Sequence, residues 1–393
     1  MAAAGSDASL GARAGALWRG RRARAWLAQL FVLGLVVVAL GYFADNAADN
    51  LQRQGIASGF GFLSREASFE IGTTLIPFSP ADTYARAFLV GLLNTILVAV
   101  LGIILATLLG FAVGLARLSS NWLIARLALA YVEIMRNTPL LLQLFVWWDL
   151  LRVSAPSPRQ AWHPLPGVFI SNRGINVPMI DAQPLYAWVG IAALGGIALA
   201  WLVTRWRKRG GVAATGAAWI ALALIVVPPL AVFLAGGAPL ALDVPSLAGF
   251  NFRGGISLTP ELAALLLGLV VYTAAFIGEI VRGGIESVAR GQVEAARALG
   301  LRRGQALRLV VLPQAVRAMI PPLTSEYLNL TKNSSLAVAI GFPDLVSIGN
   351  TAMNQTGQSI ECFLLIAAAY EVLNLATSLV MNLYNRRSAL VGR

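Results

Sequence analysis

The most chemically pointed stretch of this sequence is 279–322, EIVRGGIESVARGQVEAARALGLRRGQALRLVVLPQAVRAMIPP, where acids and arginines alternate between two apolar runs. Residues 287–299 within it have helical spacing. Val288, Val293, Ala296 and Leu299 recur along one side, while Glu286, Arg290, Glu294 and Arg297 follow another in steps of four and three. Gly300 comes next as a helix stop, because glycine takes the left-handed conformation without steric cost. On these residues alone the segment is either a salt-bridged helix lying on a membrane or a docking element for another protein.

A second group lies inside the apolar run 309–340 and comprises Glu326, Asn329, Thr331, Lys332, Asn333, Ser334 and Ser335. A charge at the centre of a spanning helix costs roughly 3 kcal/mol on insertion scales, so Glu326 and Lys332 must face protein, water or each other. The polar run offers donors and acceptors that suit the ammonium and carboxylate of an amino acid; the alternative use is glue between helices. Pro321 and Pro322 free backbone groups that are tolerable only beside a cavity. Arg136, Asn137, Thr138 and Gln143 interrupt another apolar run near Pro139, as a second pathway segment or as an interfacial helix start.

Other chemistries are excluded by residue type. A P-loop needs Gly-Lys, and the two lysines follow Arg207 and Thr331, so the chain hydrolyses no ATP by that route and draws energy from a partner or an ion gradient. The single histidine, His163, and single cysteine, Cys362, cannot furnish a haem or a histidine-rich metal centre. We assign no catalytic residue, no metal ligand and no cofactor. A membrane enzyme or redox subunit is disfavoured for the same reason.

These groups must be positioned by membrane helices. With 58% hydrophobic and 12% charged residues the chain would expose large apolar patches in water. About 20 apolar residues cross the hydrocarbon core, and that criterion selects eight spans near 26–43, 87–115, 123–151, 184–204, 212–234, 262–281, 309–340 and 362–384. The seventh, with its prolines, leaves room for a break. Arginines and lysines fall twenty on one side of this layout and seven on the other. That asymmetry places both termini in the cytoplasm and makes the net charge of +12 a topology signal, not a nucleic-acid footprint. The first run is longer than a signal-peptide core and lacks a small-x-small cleavage site, so it reads as a retained helix. The Pro- and Gly-containing segments 152–183 and 236–260 read as ordered external connections.

Glu294-Ala295-Ala296, Gly300, Val310, Leu312 and Pro313 reproduce the spacing EAA-x3-G-x9-hydrophobe-x-LP, with valine where isoleucine is common. The sequence thereby resembles the permease subunits of bacterial ABC importers, whose cytoplasmic EAA loop carries this pattern. MRNTPLLLQLF at 135–145 and LTKNSSLAVAIGFPDL at 330–345 are similar to the polar and general L-amino acid branch, and the likeness covers 88–151 and 259–384. The distant first helix and the additional spans within 152–260 place the chain nearest to the larger subunits of general L-amino acid systems.

The resemblance implies an all-α, type I importer permease of about eight spans in the bacterial inner membrane. It also implies an organisation into a cytoplasmic tail 1–25, a first helix and external loop 26–86, a core part 87–151, an insertion 152–260, a second core part 261–385 with its loop at 282–308, and a tail 386–393. Implied partners are an ABC ATPase dimer, a second permease subunit in a homo- or heterodimer, an external amino-acid-binding protein and membrane lipid, with no nucleic acid. Implied coupling residues are Glu294, Ala295, Ala296, Arg297, Gly300 and Pro313. Implied pathway residues are Arg136, Gln143, Glu326, Asn329, Thr331, Lys332, Asn333, Ser334 and Ser335. The competing expectation is an ion-coupled secondary transporter of small polar solutes, which would account for an interrupted seventh span but not for the EAA spacing.

Overall fold

Long apolar runs become long helices. The computed structural model describes residues 21–53, 58–180, 184–209, 217–237 and 242–388. Most of the expected tail 1–25, the start of the expected fifth span and residues 389–393 lie outside the described residues. The helices are α1 (Arg21–Arg53), α2 (Tyr84–Arg117), α3 (Trp122–Asn137), α4 (Leu140–Asp149), α5 (Pro184–Arg209), α6 (Ala217–Ala235), α7 (Pro260–Glu286), α8 (Arg290–Ala298), α9 (Leu312–Asn333), α10 (Leu345–Thr356) and α11 (Ser359–Ser388). Six stretches are long and apolar enough to cross a bilayer: 24–43, 84–117, 184–206, 260–286, 303–340 and 359–386. The apolar part of α6, Trp219–Ala235, is shorter.

The expected third span, 123–151, is two helices rather than one. Pro139 removes a backbone donor and disfavours a helical conformation for the residue before it, and Thr138 is accordingly extended at φ −101°, ψ 128°. The Gln143 side chain donates to the Met135 and Thr138 carbonyls at 3.0 Å each, satisfying acceptors that the break sets free. At its other end α3 is capped by Asn121, whose side-chain oxygen accepts from Leu123 N at 3.0 Å and Ile124 N at 3.3 Å.

The seventh span needs no break at Pro321 and Pro322, because the helix runs through both. Its winding changes at the ends instead: a π turn at Leu307–Val311 precedes α9 and a 3-10 segment, Ser334–Ile340, follows it. Pro313 is the physical cause of the π turn, since it cannot donate to the Leu309 carbonyl and its ring would collide with that group. The Gln314 amide donates to the Val310 carbonyl at 3.0 Å beside it.

Two compact units emerge, drawn from Met1–Ile71, Ile76–Val90 and Ile348–Tyr370, and from Gly72–Leu75, Gly91–Ser347 and Glu371–Arg393. In the first, the buried Phe62 ring packs edge-on against Tyr84 and Phe88, and the Tyr84 hydroxyl donates to Gln355 at 2.6 Å. Cys362 is buried there as a free thiol.

The second unit is organised around α7, whose Leu265, Leu269 and Ile277 are fully buried and which packs against α3, α4 and α9. Lipid tails are as apolar as leucine, so close contact between helices rather than escape from water holds such a bundle together. Gly114 of α2 shows how close: a Cβ there would fall 2.6 Å from Val281 Cβ and 2.7 Å from the Gly278 carbonyl.

Short strands punctuate the insertion, which the all-α expectation did not contain. β1 (Trp162–Leu165), β2 (Val168–Ser171), β3 (Gly174–Val177) and β8 (Ile256–Leu258) form an antiparallel sheet in that order. β4 (Met179–Ile180) pairs with β5 (Leu242–Asp243), and β6 (Ser246–Ala248) with β7 (Asn251–Arg253). The segments before and after the α5–α6 hairpin thus pair with one another across it. His163 lies in β1 with its ring edge-on to Phe169 at 4.7 Å.

Candidate functional site

The segment between α7 and α9 is built from three terminations. Glu286 closes α7, paired with Arg282, so it does not belong to the charged row of the next helix as the spacing predicts. α8 begins at Arg290, three residues later than expected, and buries Ala296 against its own chain while Glu294, Ala295 and Arg297 stay exposed. Leu299, at the end of α8, is 82% exposed.

Gly300 then stops the helix at φ +79°. Gly300 N donates to the Arg297 carbonyl at 2.9 Å and Leu301 N to the Ala296 carbonyl at 3.1 Å, the two bonds of a Schellman cap. The chain restarts when Arg302 N donates to the Gln305 side chain at 2.9 Å, and the turn Arg303–Ala306 passes into the π turn and α9. Gly300 is therefore the only left-handed residue between α8 and α9, among the described residues.

α9 divides its polar residues between two roles. Thr331 and Ser334 are buried, and their hydroxyls bond the carbonyls of Tyr327 at 2.9 Å and Thr331 at 2.7 Å. Ser335 likewise bonds the Lys332 carbonyl at 2.7 Å. These three satisfy the helix itself. Glu326 and Asn333 are half-buried, while Asn329 and Lys332 are exposed, and their side chains form no hydrogen bond or ion pair among the described residues.

Arg136, at the end of α3, sits over the Phe276 ring at 5.2 Å and within electrostatic reach of Glu326 and Tyr272. The fold thus brings together two of the expected pathway residues from elements nearly two hundred positions apart. Gln143 stands apart as the buried clasp of the α3–α4 break. Gln143→Leu should leave two carbonyls unpaired at roughly 1–3 kcal/mol, read as a fall in Tm of the purified protein of a few degrees. An unchanged Tm would remove the clasp from the account.

A charged cluster near the end of α7 escaped the sequence reading. Glu279 accepts from Arg117 of α2 at 2.6 Å and from Arg282, which also pairs with Glu286. Its signal was present as Glu279, Arg282 and Glu286 at helical steps of three and four.

Residues 192–389 match the family described as binding-protein-dependent transport system inner membrane component. The chain is 49% identical over 375 residues to the putative amino-acid ABC transporter permease protein YhdX of Escherichia coli (strain K12), covering 94% of this chain and 95% of that one. It is 49% identical over 369 residues to the general L-amino acid transport system permease protein AapQ of Rhizobium johnstonii, covering 93% and 92%. It is also 39% identical over 428 aligned residues to the glutamate/glutamine/aspartate/asparagine transport system permease protein BztB of Rhodobacter capsulatus, covering all of both chains.

Proposed function

The chain belongs to the family of binding-protein-dependent transport system inner membrane components, and from that premise we propose that it is the permease subunit of an ATP-driven importer for polar or general L-amino acids. It is a multi-pass membrane transporter subunit and not itself an enzyme. One observation carries the mechanism: an exposed charged helix, α8, ends in a glycine cap, from which one short turn and the π turn lead into the helix bearing the unpaired polar row.

In this reading both termini and α8 are cytoplasmic, and a partner ATPase dimer grips Glu294, Ala295 and Arg297 of α8. Ala296 supports that surface from beneath, and Pro313 fixes the winding where the pull enters α9. Closure of the ATPase displaces α8, and Gly300 and the π turn transmit the shift to Glu326, Asn329, Lys332 and Asn333. With Arg136, that row presents both charges to a zwitterionic solute delivered by an external binding protein, at a pathway completed by a second permease subunit. The names of the relatives support the amino-acid assignment. The proposal includes a division into core parts 87–151 and 261–385 with the insertion 152–260 between them.

Reconstitution tests the proposal. Amino-acid uptake into proteoliposomes should require an added ATPase subunit and ATP, and should persist when ion gradients are collapsed. Uptake by the permease alone, driven by a gradient, would favour the ion-coupled alternative.

A further inference from the structure

The side of α9 away from its polar row lines a groove of about 390 Å³ whose walls include Phe111 of α2, Val316, Leu323 and Tyr327 of α9, and Val380 and Tyr384 of α11. At about 100° per residue, Val316, Leu323 and Tyr327 fall in one narrow arc of α9, while Glu326, Asn329 and Asn333 lie well round on the other flank. The Thr107 and Tyr327 hydroxyls on its wall bond each other at 2.9 Å, which leaves the groove mostly apolar.

At Val316 the groove meets a second concavity of about 290 Å³, lined also by Leu312, Pro313 and Arg317. Arg317 is half-buried within a spanning stretch, and among the described residues it has no carboxylate within 4 Å. A guanidinium in that setting needs an anion, because an uncompensated charge in hydrocarbon is costly. An apolar slot leading to a lone arginine has the shape and polarity of an acyl chain joined to a phosphate, the group that guanidinium binds through two parallel hydrogen bonds.

We propose that this groove is a binding site for an anionic phospholipid, with an acyl chain along Val316, Leu323 and Val380 and the phosphate on Arg317. A second permease subunit is the less fitting occupant. The polar row faces elsewhere, and a protein wall would have to supply a carboxylate for Arg317 along with an apolar ridge. Val380 is 64% exposed and Tyr384 52%, as expected of positions on a lipid-facing rim. In the orientation proposed above, Arg317 lies toward the cytoplasmic leaflet; the site itself does not depend on that orientation.

The test reads lipid rather than transport, so it succeeds or fails separately from the proposed function. The full-length chain with its partner subunits is reconstituted in nanodiscs of phosphatidylcholine containing some phosphatidylglycerol, released, and its retained lipids are counted by native mass spectrometry. Wild type should retain phosphatidylglycerol in preference to phosphatidylcholine. Arg317→Gln should retain about fivefold less, the effect of one basic residue on an anionic headgroup. Val380→Trp, which fills the slot from its open side, should lose the lipid with Arg317 intact. Wild-type retention by both variants, or a Val380→Cys variant that crosslinks to a second copy of the permease, would overturn the assignment.

Discussion

Glu294→Lys should abolish amino-acid uptake and the transport-stimulated part of ATP hydrolysis, while the protein inserts and purifies as wild type does. The expectation follows from exposure: Glu294 is on the open face of α8 and forms no ion pair within the chain among the described residues, so reversing its charge costs the fold little. A docked partner would meet a like charge where it had an opposite one, and such juxtapositions cost several kcal/mol at an interface. Gly300→Val separates docking from transmission. Nothing lies within 4 Å of a Cβ built there, so the substitution clashes with no neighbour. Its cost is the left-handed backbone at φ +79°, about 1–2 kcal/mol and more for a β-branched residue. That strain loosens the Schellman cap and the direction in which α8 leads to α9. Uptake should then fall further than ATPase binding, as measured by co-purification of the two subunits. Wild-type uptake by Glu294→Lys would end the assignment of α8 as the coupling element.

How much of this was legible depended on whether a signal was local. The Gly300 cap, the unusual winding of the 303–340 stretch and the α3–α4 break all arise from glycine or proline, whose backbone limits act on the residues beside them. The break still read as one span, because Leu140, Leu141 and Leu142 continue the apolar run straight past Pro139. α10 was missed because its Ser347, Asn350, Thr351 and Gln355 carry too little apolar periodicity. Its boundaries were nevertheless written in the chain: the Asp344 side chain accepts from Ser347 N at 2.9 Å as an N-cap, and Gly357 ends the helix at φ +73°. Pairing across the insertion was beyond reach, since Ile175 meets Leu258 over more than eighty residues and short strands such as β8 have no distinctive pattern of their own. The approach of Arg136 to within electrostatic reach of Glu326 is a tertiary feature of the same kind. Ala296 shows the limit within a recognised motif: spacing marked it beside Ala295, and only packing separates the one that supports α8 from the one that faces outward.

Glu279→Leu should clearly destabilise the second unit. Glu279 is the one carboxylate shared by Arg117 and Arg282, whose side chains are 15% and 28% exposed, so its loss leaves Arg117 without a carboxylate and Arg282 with Glu286 alone, among the described residues. Breaking a fully buried pair from one side costs roughly 3–5 kcal/mol, and the remaining exposure lowers the expectation here to about 2 kcal/mol. The site is where α2 and α7 already approach through Gly114, so the stranded Arg117 charge acts on a contact with little slack. One turn further on, a Cβ at Gly284 would run into Met319 of α9, which ties the same end of α7 to α9. A loosened α7 terminus should therefore lower both the Tm of the purified protein, by several degrees, and uptake per folded molecule. Glu279→Gln keeps the shape and an acceptor while removing the charge, and should fall between Glu279→Leu and wild type on both measurements. Adding Arg117→Leu to Glu279→Leu should recover part of the lost Tm by removing the stranded cation, the sign of coupling that a double-mutant cycle detects. Additive losses in that cycle would show that Glu279 acts by filling space and that its charge does not hold α2 to α7.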